Sequence, residues 1–475
     1  MSRFVLSLGV VSAALVAVAV AQAPSFERVA TETVVVARIG DYKQGTITVS
    51  ADGRRFAYGK EQSWGFEVEV DGKPQGAYNA LGPIVWGNPS NEEILTMYEY
   101  WGLDESPGIK PMIFSGDGQH LAYGAKVADS WLIVYDRQRG KPFKSVGGPV
   151  LAHDGQHLAY AAKLEDGWCV VRDGAEGKTY KKVGPPVFSA DGAHLAYAAQ
   201  VGERELIVVD GVEAKSYDNL EVPQSLVPTV GLLRSLAIAR LSWLSAFPNM
   251  VAAFPAFSTD GRLCYPAERD GKWYVVVDGQ EGEPFEKISS LVLSSDGKHI
   301  AYAGGIGDGW TIVLDGRRVG EHKAVNFLAI SRDGNHLAYA AKAGDGWTMV
   351  IDGTAQAAYK NITRPVFSPD GTRVAYGANT GDRWTVVVDG KAQQPYKDLL
   401  EPTFSPDGTK LAYAASRGDD RWTVVLNGVE GKEYRALGLV RGAKIVFDDN
   451  LRFRYLLATK DGRILRVEET LKPST

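Results

Sequence analysis

An Asp-Gly pair returns along this chain with nearly constant spacing. The turn glycines Gly118, Gly155 and Gly192 are 37 residues apart, as are Gly297, Gly334, Gly371 and Gly408, and Gly261 precedes Gly297 by 36. Around each lies one motif, read in full at 365–390 as PVFSPDGTRVAYGANTGDRWTVVVDG. A period between 20 and 50 residues marks a repeat architecture, in which a single unit cannot bury its own apolar faces and must stack on copies of itself. That excludes reading the aspartates of one unit as an isolated reactive pair.

Each unit predicts four short antiparallel strands. Pro365–Ser368 is the first, and Asp370-Gly371 supplies the left-handed backbone of a tight hairpin. The second strand alternates Val374 and Tyr376 against Ala375 and Gly377. After the turn at Thr380–Asp382, Trp384, Val386 and Val388 face one way, and Thr385 and Val387 the other. Asp389-Gly390 forms another hairpin before an irregular fourth strand carrying Tyr396. Both faces are apolar or small, whereas a sheet with one wet face alternates cleanly. Both faces are therefore expected to be covered by neighbouring sheets, small residues on one receiving bulky ones from the next. Radial stacking of four-stranded sheets gives an all-β propeller; a β-solenoid is the alternative, but its coils rarely need such hairpins.

The FSPDGxxLAY pattern and the following W…VVxDG resemble the WD-repeat-like propeller repeat of the TolB family and of some oligopeptidases. The likeness covers nearly all of the chain after its first residues. It implies the propeller fold and little about function, since that repeat serves scaffolds, receptors and enzyme lids alike. The α/β domain that precedes the TolB propeller is not expected, because repeats begin soon after the leader. No hydrolase domain is read after the array, so the oligopeptidase role does not carry over.

Two gaps interrupt the period. From Gly53 to Gly118, the stretch Gly82–Tyr100 aligns loosely as a degenerate blade. From Gly192 to Gly261, Val222–Met250 reads as a degraded blade, an inserted amphipathic helix or a reading-frame error. With the divergent last unit Lys444–Glu469, about twelve 37-residue blades are expected. Propellers commonly hold four to eight, which predicts two rings of about six. The expected layout is a signal peptide over 1–21, a first propeller over 30–220, a boundary segment over 221–256 and a second propeller over 257–470. Thr33–Ile39 is expected to help close the first ring.

Arg3, the apolar run Phe4–Val20 and the small residues before Ala21 have the charge, length and cleavage chemistry of a secretory signal. The expected location is therefore secreted or periplasmic. Once that segment is removed, no run of about 20 apolar residues is left to span a membrane. Export would permit disulfides, yet the two cysteines, Cys169 and Cys264, occupy slots filled elsewhere by Thr and Ala and read as small strand residues. A net charge of −5 with no basic stripe argues against a nucleic-acid partner.

His120, His157, His194, His299 and His336 share one position, two after the turn glycine, where Arg373 stands in another repeat. Neighbouring blades hold that position too far apart for one metal ion, whose ligands must lie about 2 Å from it. The structural reading is a basic residue at a strand start. The functional one is a basic collar attracting an acidic partner more strongly as the histidines protonate. The hairpin aspartates are favoured locally for backbone bonding, and the repeated tryptophans read as packing between blades. Departures from the consensus are better functional candidates. Tyr98, Glu99, Tyr100 and Trp101 combine aromatic and acidic groups suited to recognition, although a damaged blade patched with aromatics explains them too. Asp136–Gly140, reading DRQRG, replaces an Asp-Gly hairpin and adds Arg137 and Arg139, and reads as a solvated turn. No catalytic signature, metal set or cofactor motif is found. The expectation is a non-enzymatic module of the cell envelope that binds a protein partner. The alternative is a propeller hydrolase or lyase acting on a glycan or small molecule in an axial funnel.

Overall fold

The computed structural model describes residues 26–36, 48–81, 112–220, 255–439 and 444–473. These residues form strands and turns throughout, with no helix among them. Nine hydrogen-bonded sheets result. Eight are single units, and the ninth joins two units through the long strand Val429–Leu439. That strand pairs with Arg421–Leu426 by its first part and with Arg452–Thr459 by its last. Among the described residues ten four-stranded units follow, numbered as blades by the residues that bound them: 1 (48–78), 2 (80–81 and 112–139), 3 (145–176), 4 (182–217), 5 (256–281), 6 (287–322), 7 (325–359), 8 (361–392), 9 (398–435) and 10 (436–439 and 444–473). In several blades the first strand is broken into two short pieces that both pair with the second. The fold is an all-β propeller.

Blade 8 shows why the repeat takes this form. Tyr376 pairs opposite Val387 and Gly377 opposite Val386, so alternate residues fall on opposite faces. At the second hairpin Asp389 and Gly390 take φ of 49° and 75°, the left-handed pair that matches the twist of the strands. One face, with Val374, Tyr376, Ala378 and Val387, packs on Ala338, Ala340 and Met349 of blade 7. The other, with Ala375, Val386 and Val388, receives Leu411 and Tyr413 of blade 9. Burial on both faces is what the lack of a polar face demanded. Of the repeated tryptophans, Trp168, Trp273 and Trp422 are buried, whereas Trp131, Trp310, Trp347 and Trp384 keep partial exposure. Lysines lie over the Trp168, Trp310 and Trp347 rings. Cys169 and Cys264 are unbridged and buried, and desolvation raises their thiols to about 11 and about 12.

The same face-to-face contact runs from each blade to the next. Between blades 4 and 5, Tyr217 and Leu220 pack with Leu263 and Tyr265, and Lys215 reaches Glu281 at 2.7 Å. Between blades 10 and 1, Leu456 and Ile464 pack with Phe56 and Tyr58, and Arg454 Nε donates to Asp52 O at 2.6 Å. Two separately closed rings over 30–220 and 257–470 would instead join blade 1 to blade 4 and blade 5 to blade 10. The blades expected at Gly82–Tyr100 and Val222–Met250 lie outside the described residues, as does the signal segment. Ala80–Leu81 and Met112–Phe114, which flank the first of these stretches, both pair with Leu121–Val127 and so belong to one sheet.

The N-terminal strand takes a different place from the one expected. Phe26–Val36 pairs antiparallel with Ile464–Pro473, in register from Phe26 opposite Pro473. It is the outer strand of blade 10, not a closing strand for a ring ending near residue 220. The physical reason is a buried anchor: Arg28 donates to Glu469 through Nε at 2.7 Å and Nη2 at 2.9 Å.

Candidate functional site

In most blades two Asp-Gly hairpins, one between the first and second strands and one between the third and fourth, share a rim. Here the side chains of the repeat are occupied by the fold. In eight blades a serine hydroxyl at the end of the first strand donates to the aspartate two residues on, as Ser331 does to Asp333 at 2.6 Å and Ser368 to Asp370 at 2.5 Å. The same hydroxyl accepts the amide of the residue after the turn, for example His336 N at 2.9 Å and Arg373 N at 3.0 Å. The serine bond comes first among the causes that hold Asp333 at about 2, with bonds from Asn335 adding to it. Blade 3 departs: Ala152 stands at the serine position, beside Asp154 and His157.

The aspartate of the second hairpin ties that turn to the second strand. Asp352 Oδ1 accepts the Leu337 amide at 2.9 Å, and Asp389 Oδ1 that of Val374 at 3.0 Å. The remaining oxygen meets the collar residue. Nδ1 of His120, His157, His194, His299 and His336 lies 2.5, 2.8, 2.6, 2.7 and 2.8 Å from Asp136, Asp173, Asp210, Asp315 and Asp352. Arg373 Nε donates to Asp389 at 3.0 Å, and its Nη1 reaches Gly408 O of the next blade at 3.1 Å. The expected collar residues thus share a rim, but each faces a carboxylate. What they do visibly is fasten turn to strand and, through Arg373, blade to blade. The hydrogen bond to Asp210 raises the pKa of His194.

Tyr98, Glu99, Tyr100 and Trp101 lie outside the described residues. The DRQRG departure lies within them and is the most distinctive feature of the rim. Asp136 and Arg137 take φ of 44° and 72°, so Arg137 stands in the left-handed position that glycine fills in the other second hairpins of blades 1 to 9. Such backbone costs a non-glycine residue about 1 kcal/mol or more. Arg137 Nε donates to Gln75 Oε1 of blade 1 at 2.5 Å. Arg139 lies over the Tyr78 ring, 5.3 Å from its centroid, and contacts Ala77 O at 3.5 Å. Neither guanidinium has a carboxylate partner among the described residues. Between blades 1 and 2 opens a cleft of about 110 Å³, lined by Arg55, Gln75, Tyr123, Asp136 and Arg137 over apolar Val70. Arg55 is already engaged, by Asp71 at 3.2 Å and by Gln119 O at 2.7 Å.

A second departure appears where the first strands of successive blades meet. The position seven before the turn glycine holds Gly148, Pro185, Ser290, Phe327, Arg364 and Glu401. Ser290 and Phe327 have φ of 56° and 52°. Lys444 Nζ of blade 10 lies 3.9 Å from Glu401 of blade 9. Burial lowers the pKa of Arg364, and the Glu401 charge opposes that shift. The sequence signal was available, as a column without consensus inside an otherwise regular repeat, but only the fold aligns its members across adjacent blades.

No family model matches the chain, and no curated protein does. Solved structures of similar shape include a eukaryotic initiation factor, 10% identical over 88% of this chain and 98% of that one, with a TM-score of 0.41. The Dos1 propeller is 11% identical over 75% and 90%, at 0.35. A TolB chain from Agrobacterium tumefaciens is 14% identical over 46% and 90%, at 0.24. At these values the likenesses carry no argument about the site.

Proposed function

We propose that this chain is an exported, non-enzymatic binding module whose blades form one continuous closed series, and that it meets a protein partner of the cell envelope across its hairpin rim. Export rests on Arg3 and the apolar run Phe4–Val20. The single series is supported by the packing of blade 4 on 5 and of blade 10 on 1. One observation carries the binding reading: on a rim whose repeated cations face carboxylates, Arg137 and Arg139 have none among the described residues, and Arg137 is held there against backbone preference. Strained residues persist where the surroundings over-determine them, which is characteristic of binding and catalytic sites. In-cell crosslinking of the mature protein, followed by mass analysis, is expected to recover one envelope protein at constant stoichiometry. Crosslinked species with no recurring partner would refute the reading.

The alternative, an enzyme acting on a glycan or small molecule, is favoured by the Arg364, Glu401 and Lys444 group at the first strands. Turnover of envelope glycans that is lost in Glu401→Gln, with partner capture unchanged, would establish it instead.

A further inference from the structure

We infer that the cleft between blades 1 and 2 is a carboxylate-recognition site that takes the side chain of an Asp or Glu from an acidic segment of the partner. This rests on the binding reading above and specifies its chemistry. A guanidinium presents its donors as a planar fork that matches a carboxylate in two parallel bonds. In Arg137 the Nε is spent on Gln75, which fixes the plane of the fork. The Nη donors have no partner among the described residues. Arg139 is not in the cleft lining; it is a neighbouring cation held on blade 1 by the Tyr78 ring and Ala77 O. The cleft, at about 110 Å³, has room for roughly three or four waters, the space a carboxylate and its methylene would need. Asp136 in the cleft lining and Asp71 on Arg55 disfavour a dianion such as phosphate. Both are themselves engaged, Asp136 by His120 and Asp71 by Arg55. The fold does not require Arg137, since glycine does the same turn in the other blades. Arg137→Gly should therefore relax the hairpin while removing the ligand's partner, a pairing of effects that loss of folding cannot imitate.

The test uses the mature protein and four probes: the labelled peptides acetyl-Ser-Glu-Glu-Gly-Ser-amide and its Gln-Gln counterpart, a Gly-Ser peptide with a free C-terminal carboxylate, and inorganic phosphate. Fluorescence anisotropy is expected to show the Glu peptide binding at least tenfold more tightly than the Gln peptide, more weakly at high salt. Arg137→Gly should lose at least tenfold of that affinity while its Tm stays equal or rises. Equal binding of the Glu peptide by wild type and Arg137→Gly would overturn the assignment, as would no binding by wild type. Tighter competition by phosphate, or by the free C-terminus, would overturn the side-chain carboxylate as ligand. Capture of one envelope partner equally by wild type and Arg137→Gly would sink this inference and leave the binding-module reading standing. Glu-peptide binding with no recurring crosslinked partner would refute the binding-module reading and, with it, the partner segment as the source of the carboxylate.

Discussion

The strand Phe26–Val36 is held to the far end of the chain by its backbone pairing and by two ion pairs, Arg28 with Glu469 and Glu32 with Lys432, and Arg28→Met tests how far the buried one secures the last blade. The Arg28 side chain is 11% exposed and that of Glu469 is 3% exposed. Besides the two bonds to Glu469, Arg28 Nη1 donates to Val424 O and Val429 O, both at 3.0 Å. Tyr455 OH donates to Glu469 at 2.9 Å, so the carboxylate would keep one partner after the substitution. Breaking a buried pair by removing one member costs about 3–5 kcal/mol. The retained Tyr455 bond places this case near the lower end, at about 3 kcal/mol, or roughly 150-fold in an opening equilibrium. A chain of this length is a poor two-state system, so global melting is the wrong measure. Native-state hydrogen exchange at Phe26–Val36 and Ile464–Pro473 reads the local opening directly. Arg28→Met should lose about a hundredfold protection there, with blades 3 and 4 unchanged. Replacing both partners, Arg28→Met with Glu469→Leu, removes the stranded charge and should recover most of the protection, since apolar replacement of a buried pair is often close to neutral. Protection within threefold of wild type in the single variant would refute the reasoning, as would a double variant no better than the single.

Other outcomes follow from the same geometry. Ala152→Ser would give blade 3 the hydroxyl that other blades use at this position, and bonds to Asp154 and the His157 amide should stabilise it by about 0.5–1.5 kcal/mol; unchanged exchange at His157 N would count against it. Serine bonds lead the causes that lower the pKa of Asp117, Asp191, Asp260, Asp296, Asp333 and Asp370. Their contribution is present above about pH 4 and lost as pH falls toward 2, so Tm should drop in that window; a flat profile would contradict it. His194, raised by Asp210, adds stability below about pH 6.5 that fades as pH rises through its folded value. His322, lowered by burial, has the opposite sign and loses its contribution as pH falls below 6.5, and NMR titration of the two rings should show shifts in opposite directions. Fragments 22–250 and 251–475, which would leave the Tyr217–Tyr265 and Leu456–Phe56 faces uncovered, should associate with each other. Two folded, independent monomers would favour two rings.

Much of the blade was legible because its determinants are local. Asp389-Gly390 specifies a left-handed hairpin through steric limits within two residues, and the alternation of Tyr376 and Ala375 specifies two buried faces through the pleat. Arg137 was visible too, as an Asp-Arg where the repeat writes Asp-Gly. The collar was half legible. The column His120, His157, His194, His299, His336 and Arg373 could be read from the period, but its carboxylate partners stand 16 residues downstream. Pairing a strand start with the turn across the sheet requires the register.

Sequence alone determined the repeating unit, its hairpins, its two apolar faces and the sites where the pattern breaks. The order in which blades close on one another was left to the tertiary structure. Closure depends on small rotations summed over every interface, and no single repeat encodes that sum. The packing of blade 10 on blade 1 therefore has no signature in either segment. The partner of Arg28, 441 residues away, was likewise set only when the two ends of the chain met.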